Sequence, residues 1–198
     1  MAKYGAKYLQ WAPFYTSDPD KDTAAFPKYG TPLNLGSLVK VTDNPEMNSA
    51  TIYGDNVLED KVDEFKECPI DVELTDVSPA VEKAVMGATQ ASGGTDNDIA
   101  FSGSDTQPYG GFAFYINKIK KGVKSYQGIY YPKVKGVPQG DEYTTKGDGI
   151  TLTGGKLRLL AYEPACGKWK VKSEEFGTEA AAKSWVDDKI KAYTPPAG

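Results

Sequence analysis

The residues of this sequence that could carry chemistry are mainly carboxylates, and they are concentrated in one segment. Nine acidic residues lie between Asp55 and Asp76, against only Lys61 and Lys66, so the local net charge is −7. The chain has no histidine among its 198 residues. Because histidine is the commonest general base and transition-metal ligand near neutral pH, Ser-His-Asp, Cys-His and HExxH chemistries are excluded.

Other catalytic designs have weak support in the sequence. Carboxylate pairs, Lys nucleophiles and Ser-Lys dyads survive in principle, but the sequence has no recognisable motif for them. A cleft of carboxylates such as Glu174 and Glu175 with Asp187 is one example, yet these residues fit surface charge on a strand end and a helix. The Asp96-Asn97-Asp98 run lacks the other ligands of a calcium loop. We therefore expect a protein that is not an enzyme and that needs neither a metal nor another cofactor.

The acidic segment alternates with apolar residues. Between Lys61 and Leu74 one parity carries Val62, Cys68, Ile70, Val72 and Leu74, and the other carries Asp63, Glu67, Asp71 and Glu73. A period of two is typical of a β-strand with one buried and one solvated face. The pattern predicts a strand with an apolar face and an acidic face, if the alternation holds throughout.

A second charged cluster has the opposite sign. Six lysines and no acid lie between Ile116 and Lys135, and Lys120-Lys121-Gly122 predicts a hairpin turn between two aromatic-rich strands. Both clusters could be ordinary solvated faces. The alternative is a polarised subunit whose lysines contact a neighbouring copy. The candidates for that contact are Lys118, Lys120, Lys121 and Lys124.

Turn and periodicity signals predict a mainly β fold. We expect two antiparallel sheets packed as a sandwich or partly open barrel, with a short helix after Ser78-Pro79 and a C-terminal helix capped by Thr178. Asp43-Asn44-Pro45 predicts the turn of a hairpin between strands 37–42 and 49–53. One domain covers 1–198, with irregular loops over about 12–35, 43–60 and 91–111, and a last strand crosses 168–172.

The remaining signals concern the compartment. Cys68 and Cys166 have no CxxC spacing, which favours two free thiols. No apolar h-region follows Lys3, and no apolar stretch approaches the roughly 20 residues of a membrane span. We expect a protein without a membrane anchor that is made, and stays, in a soluble compartment.

Several short segments, taken in order, carry a family resemblance. They are Lys3-Tyr4-Gly5-Ala6-Lys7, Trp11-Ala12-Pro13, Leu35-Gly36-Ser37-Leu38-Val39-Lys40, Ile52-Tyr53-Gly54-Asp55-Asn56, the acidic strand to Leu74, Tyr143-Thr144-Thr145-Lys146-Gly147-Asp148-Gly149-Ile150 and the segment from Trp169 to Trp185. In this order the chain resembles the major tail proteins of long-tailed, non-contractile bacteriophages of Gram-positive bacteria. The proline-rich loop after Trp11 and the loop from Ser92 to Gly110 depart from that pattern.

The resemblance implies a structural virion protein, synthesised in the host bacterial cytoplasm and resident in the virion tail. Its partners would be copies of itself in stacked hexameric rings, the tape-measure protein, and the tail terminator and distal tail proteins. Double-stranded DNA would pass through the tube without specific binding. A bore that repels DNA should carry acids and few lysines. The lumen-facing candidates are Asp63, Glu67, Asp71 and Glu73.

In such tubes a long loop reaches the next ring, and the segment 43–60 is the candidate. Its proposed stacking residues are Asn44, Met47, Tyr53, Asp55 and Asn56. Two alternatives stay open. The same fold could form the tube of a contractile tail or of a phage-derived bacteriocin, or the chain could be a β-sandwich binding or adhesion module, although the latter should carry a secretion signal.

Overall fold

The computed structural model describes residues 2–15, 20–55, 57–90, 98–140 and 154–195. These residues form a mainly antiparallel β structure with two helices. The strands are β1 (Ala2–Pro13), β2 (Leu33–Asn34), β3 (Leu38–Asp43), β4 (Glu46–Gly54), β5 (Val57–Leu74), β6 (Thr89–Gln90), β7 (Ile99–Ala100), β8 (Tyr109–Lys120), β9 (Val123–Val137), β10 (Gly155–Ala161) and β11 (Val171–Phe176). The helices are α1 (Pro79–Met86) and α2 (Glu179–Lys189).

One long sheet organises the chain. Its strands follow the order β2-β1-β8-β9-β10-β5-β3, with β11 paired to β9 and β4 paired to β5. The sheet does not close into a barrel. Strand β9 belongs to both halves, because its first part pairs with β11 and its last residues, from Val134 to Val137, pair with β10. The predicted mainly β fold is therefore confirmed.

The main core lies where the two halves of the sheet face each other. Trp11 and Phe112 from one half pack in the same buried cluster as Ile70, Val72 and Leu159 from the other. Each of these side chains is almost fully buried, and burying an apolar side chain of this size contributes ~1.5–3 kcal/mol. Helix α1 adds Val81 and Val85 to this cluster.

A second layer covers the opposite face of β1, β8 and β9. Ala182 and Val186 of α2, and Ile190 directly after it, pack on Tyr115 and Tyr130 of the sheet. The hydroxyl of Thr178 caps the helix by accepting a hydrogen bond from the Ala181 amide at 3.3 Å, as the sequence predicted. The apolar spacing of this segment thus correctly predicted a helix covering one flank.

The predicted hairpin around Asp43-Asn44-Pro45 is wrong. Strands β3 and β4 do not pair with each other; they lie end to end, and both pair antiparallel with β5. The Asn44 amide donates to the Pro69 carbonyl of β5 at 3.0 Å, so Asn44-Pro45 interrupts a continuous edge instead of reversing the chain. Reversal occurs at the other end of β4, between Gly54 and Val57.

Other sequence expectations were partly met. The β8–β9 hairpin turns at Lys121 and Gly122, with φ of 47° and 82°, which fits a type I′ turn. The last strand begins at Val171 instead of Lys168. The segment from Tyr143 to Ile150, which contributes to the family resemblance, lies outside the described residues. No helix in the described parts of the chain is long and apolar enough to cross a membrane.

Candidate assembly surface

The feature that stands out is the hairpin arm, which we define as residues 46–67, made of β4 and the first part of β5. Register pairs run from Glu46–Glu67 at its base to Gly54–Val57 at its tip. The nine residues of β4 span ~30 Å, since a strand rises about 3.3 Å per residue. The arm extends the β3–β5 pair beyond β10, whose pairing with β5 covers only Cys68 to Leu74.

The hairpin arm is exposed on both faces. Every side chain described from Glu46 to Tyr53 is exposed, and so is every one from Leu58 to Glu64. Several are large and apolar, which is uncommon for a monomeric surface. These are Met47 (52% exposed), Ile52 (64%), Tyr53 (67%), Leu58 (51%) and Val62 (52%). A two-stranded hairpin without a core is marginally stable in water, so this arm has the properties of an unpartnered contact surface.

The hairpin arm carries a strong excess of negative charge. It contains seven acids against Lys61 and Lys66, a net charge of −5. On one face the Ser49 hydroxyl donates to the Asp63 carboxylate, which also lies 3.1 Å from the Lys61 amine. The Ser49 bond, with smaller help from Lys61, lowers the pKa of Asp63 below its ordinary value. Asp63 therefore stays ionised well into the acid range.

The acidic face predicted for the whole of β5 is divided by a bulge. Between the pairs Glu46–Glu67 and Met47–Phe65, β5 contains one extra residue, Lys66. Phe65 consequently packs against the same core cluster as the even-numbered Ile70. A bulge shifts the alternation of side chains. Asp63, two residues before Phe65, therefore lies on a different face of the strand from Asp71 and Glu73.

The two lumen-facing candidates beyond the bulge, Asp71 and Glu73, lie beside cations of the same chain. Asp71 lies opposite Arg158 of β10, with the Arg158 Nε 3.4 Å from its Oδ1. Glu73 lies between Lys40 of β3 and Lys156 of β10 in the register of the sheet. This outer face is of mixed charge. The concentrated negative charge lies instead on the hairpin arm, with Asp63 and, at its base, Glu67, which lies 3.2 Å from Lys66.

The basic candidates also divide into two kinds. Lys118 is 9% exposed, and its amine lies 3.0 Å from the Glu175 carboxylate of β11. It therefore forms an ion pair within the chain. This ion pair lowers the pKa of Glu175. Lys120, Lys121 and Lys124 are exposed around the β8–β9 turn, where they are accessible to a neighbour.

The stacking candidates lie along the hairpin arm or at its base. Asn44 lies at the break before β4. Met47 is the second residue of β4, and Tyr53 lies next to the tip. Asp55 has φ of +46°, in the left-handed region used by tight turns. Asn56 lies outside the described residues. The structure thus brings Met47, Tyr53 and Asp55 onto one projecting element.

The base of the hairpin arm is anchored by contacts that sequence patterns did not indicate. Phe65 stacks on Trp169, with ring centroids 4.5 Å apart, and Trp169 in turn lies beside Tyr131. The Tyr131 hydroxyl donates to Asp43 at 3.0 Å, and Lys170 forms an ion pair with the same carboxylate. Burial alone would raise the pKa of Asp43, but Lys170 and Tyr131 together lower it.

No protein-family model matches the chain, and no curated protein matches it. The described residues contain no group of three or more His, Cys, Asp or Glu side chains arranged to hold a metal ion. Cys68 is buried and Cys166 partly exposed, both as free thiols, and burial raises the pKa of Cys68 to about 11. The function must therefore be argued from the hairpin arm.

Proposed function

We propose that this chain is a structural subunit of a bacteriophage tail tube, which assembles into stacked, hexameric rings through which double-stranded DNA passes. The observation that carries the proposal is the hairpin arm, an unsupported strand pair with five large apolar side chains at least half exposed. Such an element is a liability in a monomer, because its open strand edges and apolar residues invite association. In an assembly the same element becomes an inter-subunit contact.

The chemistry of the hairpin arm also fits a tube for DNA. A polyanion slides past a surface on which acids outnumber lysines, because such a surface repels its phosphates and offers few cations for counterion release. With a net charge of −5 per copy, six arms would bring about −30 to one ring. In this proposal Asp63 and Glu67 contribute to the bore, whereas Asp71 and Glu73, flanked by bases, contribute less. The function proposed involves no catalysis and no cofactor.

The test is the assembly state of the purified protein, followed by sedimentation velocity and negative-stain microscopy. We expect rings or tubes from the intact chain. In a matched variant, residues 52–60 are replaced by Asn-Gly between Thr51 and Lys61, which are already paired and can accept a two-residue turn. This shortened chain should fold and remain monomeric.

The outcomes separate the alternatives. An intact chain that stays monomeric at high concentration would contradict the proposal and favour a binding or adhesion module. Tubes from the shortened chain would exclude the hairpin arm as the contact. Microscopy of native particles distinguishes a bare tube from one with a contractile sheath. A Val123→Thr variant, altered at an exposed apolar residue of the β8–β9 turn, controls for a general effect of surface polarity.

A further inference from the structure

A cleft at the C-terminal end of α2 combines lysines with aromatic rings. It has a volume of about 530 Å³ and lies between the chain around residues 26–29 and the segment that follows the helix. Its lining includes Phe26, Lys28, Tyr130, Lys189, Lys191 and Tyr193, and we call it the lysine cleft. Its size lies within the range of ~300–1,000 Å³ typical of ligand sites.

The backbone that forms the lysine cleft is held firmly. Tyr29 forms a parallel bridge with Ala192, and the Tyr193 amide donates to the Tyr29 carbonyl at 2.8 Å. The floor is Tyr130, which is fully buried and packs edge-on against Phe26 with centroids 5.5 Å apart. Both walls are therefore tied to the sheet, so the cleft is preformed.

The cations of the lysine cleft lie over aromatic faces. The Lys28 amine is 4.3 Å from the ring centroid of Tyr193, and the Lys189 amine is 5.7 Å from that of Phe26. Among the described residues neither amine has a carboxylate within ion-pair distance. Lys191 is 3.7 Å from Asp188, but that side-chain pair is about 70% exposed on each side and worth little. The cleft thus offers three amines against one acid.

We propose that the lysine cleft receives the tip of the hairpin arm from a second copy of this chain. This inference rests on the proposed assembly function, to which it adds the receiving surface. The complementarity is both electrostatic and apolar: the tip, residues 53–60, carries three acids and no lysine, and the cleft has a net charge of +2. Opposite potentials on two surfaces favour association and fix its register.

The tip has the composition that the lysine cleft requires. Tyr53 and Leu58 are exposed and paired with each other, and Asp55, Glu59 and Asp60 are exposed close to them in the sequence. An aromatic anchor that enters a pocket lined by aromatic rings, with charges at the rim, is the usual organisation of an interface hot spot. Contact of this arm with this cleft is heterologous, so it propagates from copy to copy instead of ending at a dimer.

The cleft lysines also have an explanation within the subunit, because cations near the C-terminal end of a helix are favoured by its dipole. That explanation predicts that their loss lowers the free energy of unfolding and leaves assembly intact. Docking predicts that their loss prevents assembly and leaves the free energy of unfolding nearly unchanged. The exposed lysines of the β8–β9 turn provide a rival receiving surface of the same sign.

Charge reversal tests the docking. Glu59→Lys with Asp60→Lys on the arm, and Lys28→Glu with Lys191→Glu in the lysine cleft, should each reduce polymerisation by tenfold or more in sedimentation assays. The four changes together should restore it, because the signs are exchanged. Lys120→Glu with Lys124→Glu is the matched control, and it should polymerise normally. Circular dichroism and urea unfolding establish that every variant is folded.

The results distinguish failure of the docking from failure of the assembly function. If the intact chain forms tubes and the cleft variant does so equally well, the docking is wrong and the assembly function stands. Loss of polymerisation only in the β8–β9 turn variant would likewise overturn it in favour of the rival surface. If the intact chain does not polymerise at all, the assembly function itself fails. Restoration by the fourfold variant supports the docking directly.

Discussion

The ring of Phe65 lies parallel to that of Trp169, with centroids 4.5 Å apart and planes within 10°. This stack is the point where the exposed hairpin arm meets the core, because Phe65 directly follows the exposed run from Leu58 to Glu64 and Trp169 packs on the main cluster. Aromatic pairs of this geometry contribute ~0.5–1.5 kcal/mol beyond the area that they bury. The arm therefore has a defined base even though the described side chains at its tip are exposed.

Truncation of this contact should loosen the hairpin arm before it unfolds the domain. We expect Phe65→Ala to cost about 2 kcal/mol, less than the ~3–5 kcal/mol of a fully buried phenylalanine, because Phe65 is half-buried. Hydrogen exchange should increase most in β4. Phe101→Ala, at a ring that is 61% exposed, is the control and should change neither quantity. Equal exchange in both variants would show that the stack does not anchor the arm.

Gly128 allows α2 to approach the sheet. A Cβ atom at this position would lie 2.2 Å from Cε3 of Trp185. Gly128→Ala should therefore destabilise the protein by about 1–3 kcal/mol through overpacking. Urea unfolding measures the loss, and Gly103→Ala, where nothing lies within 4 Å, is the control. The cost should shrink when Trp185→Leu is introduced as well; an undiminished cost would contradict a clash with Trp185.

Tyr8 should make stability sensitive to alkali. Burial, the hydrogen bond of 2.7 Å to Asp187 and the charge of that carboxylate raise the pKa of Tyr8 to about 12. A raised pKa in the folded state means that the contribution is complete below the unfolded value of about 10 and is lost as pH rises through 12. The difference in unfolding free energy between the intact chain and Tyr8→Phe should thus narrow from pH 9 to pH 11.5. A constant difference would contradict the hydrogen bond.

The acids of the hairpin arm and those of the outer sheet face should differ in their effect on DNA. In assembled tubes, Asp63→Lys with Glu67→Lys should cause retention of double-stranded DNA that weakens steeply as salt is raised. Asp71→Lys with Glu73→Lys should change DNA retention little, because in this proposal the outer sheet face, where these acids lie beside Arg158 and Lys156, contributes little to the bore. Cosedimentation at several salt concentrations measures both. The opposite ranking would place the bore on the outer sheet face.

Local signals in the sequence predicted local structure well. Thr178 with its apolar spacing predicted α2, and Lys121-Gly122 predicted the β8–β9 turn, because caps and two-residue turns depend on neighbouring residues. Asn44-Pro45 gave an equally strong turn signal and was wrong. Its conformation is decided by the pairing of β3 and β4 with β5, which is a non-local interaction that no turn pattern reports.

The candidate site was predicted in part for a similar reason. The segment that forms the hairpin arm and its acidic excess were visible in the sequence. The bulge at Lys66, which moves Asp63 to a different face from Asp71, was not visible, because alternation alone cannot indicate where a strand gains a residue. The lysine cleft joins residues around Lys28 and Lys191, more than 150 positions apart, so only the fold brings it together.

The pairing of β1 with β8 cannot form until more than half of the chain has been synthesised. Strand β1 ends at Pro13, and its partner begins only at Tyr109. At about 5–20 residues per second, a ribosome needs roughly 5–20 s to make the intervening chain. During that interval Trp11 lacks its β8 partner, Phe112, although it can already pair with Leu33 of β2, and the hairpin arm emerges before β8. Nascent chains crowded on one messenger would expose the arm before any chain has finished folding, so premature association during translation is the hazard that this topology creates.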